Sequence, residues 1–167
     1  GELRRFNWRV SYSNINASFE DNFNALSPNH NFADDEGEIQ VRSGDQIPGI
    51  PKHQFKFLGN YELSDDLFLG FDITRNSKQF LRGDESNQLD QIDEYTVANL
   101  RLRYEINEDL RIFANVQNLF NQEFETFGLL GEEPNELEVP IIENLEKPIF
   151  LGAAAPRAGY IGLSYSF

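Results

Sequence analysis

The sequence predicts an all-β chain whose strands form one antiparallel wall of a membrane barrel. Three observations carry this. The last ten residues, Ala158 to Phe167, alternate strictly, with Ile161, Leu163, Tyr165 and Phe167 on one face and Tyr160, Gly162, Ser164 and Ser166 on the other. Successive side chains of a strand point to opposite sides of its sheet, so a period of two marks a strand with unlike faces. Five further segments repeat the pattern, and the connections between the six are alternately short and long. An apolar edge ending on Phe would promote aggregation in water. It suits an outer-membrane barrel with an apolar outer face, a polar lumen and an aromatic girdle.

The elements follow in order. Phe6–Phe19 sets Phe6, Trp8, Val10 and Tyr12 against Asn7, Arg9, Ser11 and Ser13, then changes phase at Ile15, Ala17 and Phe19. A bulge near Asn14, or a strand leaving the bilayer, explains that change. Gln54–Tyr61 opposes Phe55, Phe57 and Tyr61 to Gln54, Lys56 and Asn60. Leu67–Ser77 opposes Leu67, Leu69, Phe71 and Ile73 to Gly70, Asp72 and Thr74. In Tyr95–Tyr104, Ala98, Leu100, Leu102 and Tyr104 face away from Asn99, Arg101 and Arg103. Leu110–Phe120 sets Leu110, Ile112, Ala114 and Val116 against Arg111, Asn115 and Gln117, and the C-terminal segment is the sixth strand. Strands of about ten residues match a tilted crossing of a bilayer core about 30 Å thick. All six are expected to pair antiparallel in sequence order, leaving Phe6–Phe19 and the C-terminal strand as edges of an open, curved sheet. Trp8, Phe57, Leu69, Leu100, Ile112 and Leu163 should share the lipid face, and Asn99, Arg101, Asn115 and Ser164 the other.

Glu62–Asp66 and Glu105–Asp109 read as short turns. The connections Glu20 to about Pro51, Lys78–Glu94 and Asn121–Arg157 are long, and long connections in a compact domain carry function or disorder. They hold 20 acidic and 5 basic residues, a net −15, while the rest of the chain carries +1, so the whole net charge of −14 comes from them. Such loops repel anionic headgroups, and project into water or are bridged by divalent cations. The chain has no Cys, which excludes disulfides and thiolate metal sites, and no apolar run long enough for a membrane helix. It starts at Gly1 without a signal peptide, as expected of a processed chain or a fragment.

Several stretches resemble the C-terminal part of a TonB-dependent outer-membrane receptor of the siderophore and iron-uptake type: Tyr12–Phe19, Gly44–His53, Phe80–Asn87, Tyr95–Leu100 leading to Phe113–Phe120, Glu125–Gly128 and Pro156–Phe167. The motif residues Asn118, Leu119, Phe120 and Asn121, followed by Thr126, Phe127 and Gly128, are the most specific of these. The resemblance covers residues 1–167 and implies the last six strands of a barrel of about 22 strands, with the plug and earlier strands absent. It implies energy-coupled uptake of a ferric siderophore or similar scarce nutrient in a bacterial outer membrane, with the long loops extracellular. The implied partners are lipid and lipopolysaccharide, the protein's own plug, the TonB energy-coupling protein through that plug, and the barrel-assembly machinery. The terminal signal read by that machinery would be Ile161, Leu163, Tyr165 and Phe167. Six strands alone cannot close a membrane barrel, and open edges in lipid cost several kcal/mol per unpaired group.

Arg101, Arg103 and Arg111 lie on the polar face of two neighbouring strands. They would either hold the plug by ion pairs or line a solvated lumen, paired with Glu105 or Asp109. Asp34, Asp35, Glu36 and Glu38 offer carboxylates to a hard cation without the spacing of a known loop, so solvated charge or loose bridging of lipopolysaccharide is the alternative. Glu132–Glu146 is read the same way. Arg82–Gly83–Asp84 matches an adhesion tripeptide and Asn16–Ala17–Ser18 a glycosylation sequon, both short enough to arise by chance. His30 and His53 have no partner at metal-ligand spacing. No nucleophile–base arrangement, phosphate loop or nucleic-acid stripe is present, so no enzyme, cofactor, resident metal or nucleic-acid partner is expected. The substrate is not readable. A structural or adhesive outer-membrane barrel is the second hypothesis, and a soluble carbohydrate-binding β-sandwich the third.

Overall fold

A computed structural model of the chain describes residues 1–131 and 149–167. The described residues form eleven strands: β1 (Glu2–Leu3), β2 (Phe6–Asn14), β3 (Phe23–Leu26), β4 (Glu38–Val41), β5 (His53–Glu62), β6 (Leu67–Asn76), β7 (Tyr95–Glu105), β8 (Leu110–Gln117), β9 (Glu125–Leu130), β10 (Ile149–Ala153) and β11 (Ala158–Tyr165). Seven make one sheet in the order β1-β2-β5-β6-β7-β8-β11, with every pair antiparallel. The six expected segments are therefore neighbours in sequence order. The N-terminal edge differs from expectation: β1 folds back on β2, and the Trp8 amide donates to Gly1 O at 2.8 Å.

Register sorts the faces as the alternation requires. Trp8 stands opposite Gly59, Gly59 opposite Phe71, Phe71 opposite Leu100, and Leu100 opposite Val116. Leu69 pairs with Leu102, and Ile112 with Tyr104 and Leu163. The opposite face carries the row Asn7, Asn60, Gly70, Arg101, Asn115 and Tyr160. A slip of one residue on any strand would exchange these faces. All ten residues assigned to one side or the other are in phase. Glycines sit where rings cross the sheet: the Phe71 ring covers Gly59 and stacks on Phe6 with centroids 6.3 Å apart, and Phe113 covers Gly162 on the other face.

Strand ends depart from the sequence reading in identifiable ways. The first long strand stops at Asn14 rather than Phe19. Its partner segment carries Pro48 and Pro51, which have no amide hydrogen, so the ladder breaks there. Pairing resumes irregularly, with the Ile15 amide on Lys52 O, the Ile47 amide on Ala17 O and the Phe19 amide on Asp45 O. The fifth segment ends at Gln117 instead of Phe120 because Asn118 turns the chain. The last ends at Tyr165, leaving Phe167 outside the ladder.

The larger correction concerns the three long connections. The first contains the hairpin β3–β4 and the third the hairpin β9–β10. The buried hydrophobic side chains among the described residues, Ile39, Val41, Leu81 and Ile92, all lie in these connections. Among the described residues the wall contributes no buried hydrophobic side chain. The loops hold the core instead.

Candidate functional site

Two assemblies of functional side chains result, one on the polar face of the wall and one in the loops above it. On the wall, Asp72 of β6 organises the upper polar face. It accepts a hydrogen bond from Asn99 Nδ2 at 2.7 Å, and Arg101 approaches its other oxygen at 3.6 Å. Asn99 Oδ1 in turn accepts from the Asn118 amide at 2.9 Å, so the row continues into the turn after β8. Arg103 pairs with Glu105 at 3.3 Å and lies over the Phe68 ring, 4.2 Å from its centroid. Arg111 stands opposite Glu105 in register, with no ion pair within 4 Å among the described residues. Arg103 thus pairs with Glu105, while Arg101 takes Asp72. These arginines are about half exposed, and pairs of that kind contribute little stability. All three guanidinium groups belong to residues on one face of the wall.

The motif Asn118–Asn121 is a turn with a structural cause for both asparagines. Asn118 and Asn121 have φ of 49° and 52°, the left-handed region that Asn tolerates better than most residues. Asn118 is buried, and its side chain donates to Gln122 O at 2.9 Å and Ala155 O at 3.2 Å while accepting from the Gln122 amide. Asn121 Oδ1 accepts from the Arg157 amide at 2.9 Å. Both thus tie the descending chain before β11 to the top of β8. Leu119 donates its amide to Ala98 O, and Phe120 is exposed. Thr126 Oγ1 donates to Gly152 O across the β9–β10 hairpin, and Phe127 is partly exposed. Gly128 is buried against Leu81 and Ile92, where an added Cβ would fall 2.8 Å from Ile92 Cδ1. Of the terminal residues, Ile161, Leu163 and Tyr165 lie on one exposed face of β11, and the Phe167 ring is 6.5 Å from Tyr165.

The loops carry a buried polar pair that spacing did not suggest. His30 and Asp84 have fully buried side chains, and His30 Nε2 meets Asp84 Oδ1 at 2.9 Å. The Phe32 amide donates to His30 Nδ1 at 3.1 Å, so Nδ1 is the acceptor and the proton is assigned to Nε2. The contact is accordingly a hydrogen bond to a carboxylate rather than a pair of full charges. Asp84 also accepts from Ser86 Oγ and from the amides of Gln88 and Leu89, which compensates its burial. The Arg82–Gly83–Asp84 tripeptide is therefore not displayed as an adhesion loop, because its carboxylate points inward. Asp34 accepts from the amides of Glu36 and Glu38, so it shapes the turn into β4. No group of three metal-ligating residues converges among the described residues. Glu132–Glu146 lies outside the described residues. At the loop margin, Lys78 bonds Asp93 at 2.8 Å, and this hydrogen bond, with the Asp93 charge behind it, raises the Lys78 pKa.

An open antiparallel wall whose polar residues gather on one face fits a segment of a larger β-barrel. The chain belongs to the TonB-dependent receptor-like β-barrel family, whose description matches residues 2–119. Over 80 residues it is 35% identical to the ferric-pyoverdine 358 receptor of Pseudomonas putida, a stretch covering 46% of this chain and 10% of that protein. Its fold is similar to the siderophore receptor PiuA of Acinetobacter baumannii (TM-score 0.73, 14% identity, 98% of this chain and 20% of that one). It also resembles the ferric-catecholate import receptor Fiu of E. coli K12 in its closed form (TM-score 0.62, 17% identity, 96% and 18%). The chain thus spans between a tenth and a fifth of the length of these relatives.

Proposed function

We propose that the chain is the C-terminal part of the barrel of a bacterial outer-membrane receptor that takes up a ferric siderophore in a TonB-dependent manner. The observation that carries this is the family match over residues 2–119, joined to a sheet whose six long strands keep one continuous apolar face and gather their polar residues on the other. The named relatives, receptors for ferric pyoverdine, a siderophore and a ferric catecholate, point to the substrate class. In this reading the apolar face meets lipid, earlier strands complete a barrel of about 22, and the long acidic connections face the outside. Arg101, Arg103 and Arg111 line the lumen and contact the plug, through which the TonB protein supplies energy. Lipopolysaccharide surrounds the loops, and the barrel-assembly machinery reads the terminal strand.

The test is uptake of radiolabelled iron carried by pyoverdine-type and catecholate siderophores. Cells lacking the full-length gene should lose uptake of one of these and regain it on complementation, but only with a functional TonB. Unchanged uptake of every ferric siderophore, with loss of a different solute, would overturn the substrate assignment. Uptake that persists without TonB would overturn the mechanism.

A further inference from the structure

The three long connections are bonded to one another as well as to the wall. Call them L1 (residues 15–52), L2 (77–94) and L3 (its described residues, 118–131 and 149–157). L1 meets L2 through Ser27 Oγ on Gly83 O at 2.7 Å, the Gly49 amide on Phe80 O at 3.0 Å, and a reciprocal pair between Gln46 and the Asn87 side chain. L2 meets L3 through the Arg82 amide on Gly128 O, the Leu130 amide on Arg82 O, and Gln79 Nε2 on Thr126 O. L1 reaches L3 through Asn29 Nδ2 on Gly131 O at 2.7 Å. The buried apolar residues come from L1 (Ile39, Val41) and L2 (Leu81, Ile92), and Gly128 of L3 packs against the latter two.

We propose that L1, L2 and L3 form one cooperatively locked body, opening as a unit rather than loop by loop, with the His30–Asp84 hydrogen bond as its positioning contact. Asp84 is where the bonds converge. Its carboxylate holds His30 of L1 with one oxygen and, between both oxygens, fixes the amides of Gln88 and Leu89. That turn sets Asn87, at φ 56°, against Gln46, and Arg82 two residues earlier against β9. Removing the His30 ring leaves a buried carboxylate oxygen short of a donor and opens a void, and both effects are transmitted to every contact the turn supports. Contiguous cooperative units of this kind open together in hydrogen exchange. The proposal concerns the loops themselves and does not depend on what is transported.

The experiment is hydrogen exchange by mass spectrometry on the full-length protein in detergent. In His30→Ala, peptides containing Ile47 of L1, Leu89 of L2 and Leu130 of L3 should all exchange about tenfold faster, by similar factors. Peptides from β6 and β7 should be unchanged. His30→Gln, whose amide reaches the position of Nε2, should restore most of the protection. Asp34→Ala, which breaks only the turn at Glu36 and Glu38, should act locally. Faster exchange confined to the neighbourhoods of residues 30 and 84–89 would overturn the proposal, as would equal spreading in Asp34→Ala. Loss of protection in β6 and β7 together with the loops would overturn the idea of a separate body.

Discussion

Replacing Asn118 tests how the motif turn holds the last strand to the wall. Asn118→Ala removes three side-chain hydrogen bonds, two donated to Gln122 O and Ala155 O and one accepted from the Gln122 amide. Gln122 and Ala155 are exposed residues, so water can reach the freed groups and each bond counts at its net value of about 1 kcal/mol, not at the larger cost of a buried orphan. Alanine must also adopt φ near 49°, which costs about 1 kcal/mol beyond what Asn pays. The expected loss for Asn118→Ala is therefore about 4 kcal/mol. Asn118→Gly forfeits the same bonds without the backbone strain and should lose about 3 kcal/mol. Asn118→Asp keeps the acceptor for the Gln122 amide and turns an oxygen toward two carbonyls, so it should fall no closer to wild type than Gly. The assay is urea unfolding of the full-length protein in detergent, following the heat-modifiable gel shift. A change below about 0.5 kcal/mol for Asn118→Ala would refute the reasoning, since this is the scatter of ordinary surface substitutions. Equal losses for Ala and Gly would refute the contribution of strain.

Two further outcomes follow from the loops and the terminus. The raised Lys78 pKa comes first from its hydrogen bond to Asp93, then from the Asp93 charge. A raised folded pKa stabilises the fold below the unfolded value near 10.5, and that contribution fades as pH rises through the folded value. Asp93→Asn should bring the Lys78 pKa back toward 10.5 in an NMR titration of the methylated lysine, and no movement would remove Asp93 as the cause. Deleting Phe167 should lower the amount of full-length protein assembled in the outer membrane and leave ligand affinity of the assembled molecules unchanged. A loss of assembled protein with unchanged affinity would reflect recognition of the terminus. Normal assembly would remove that role, and altered affinity would mean that the terminus lies on the ligand side.

The sequence by itself determined the wall. Alternation is a local property, readable two residues at a time, and each short turn leaves its flanking strands little choice but to pair. From Trp8 through Phe57, Leu69, Leu100 and Ile112 to Leu163, the faces could therefore be assigned before any coordinates, and the register agrees at each strand. Strand ends were less legible. The termination at Asn14 depends on prolines some 35 residues away, on the partner segment. Asn118 ends β8 through bonds to Gln122 and to Ala155, the latter 37 residues on.

Only the tertiary structure decided the loops. The hairpins β3–β4 and β9–β10 have strands of four to six residues, too short for their alternation to stand out. Asp84 looked like part of a surface tripeptide and His30 like an isolated histidine, yet they meet across 54 residues of sequence inside a small core. Arg101 finds Asp72, 29 positions earlier, because two strands lie side by side in that register. Nothing local encodes such partners. They follow from where the wall sets the loop ends, and from the free energy of burying Ile39, Val41, Leu81 and Ile92 together once those ends are fixed.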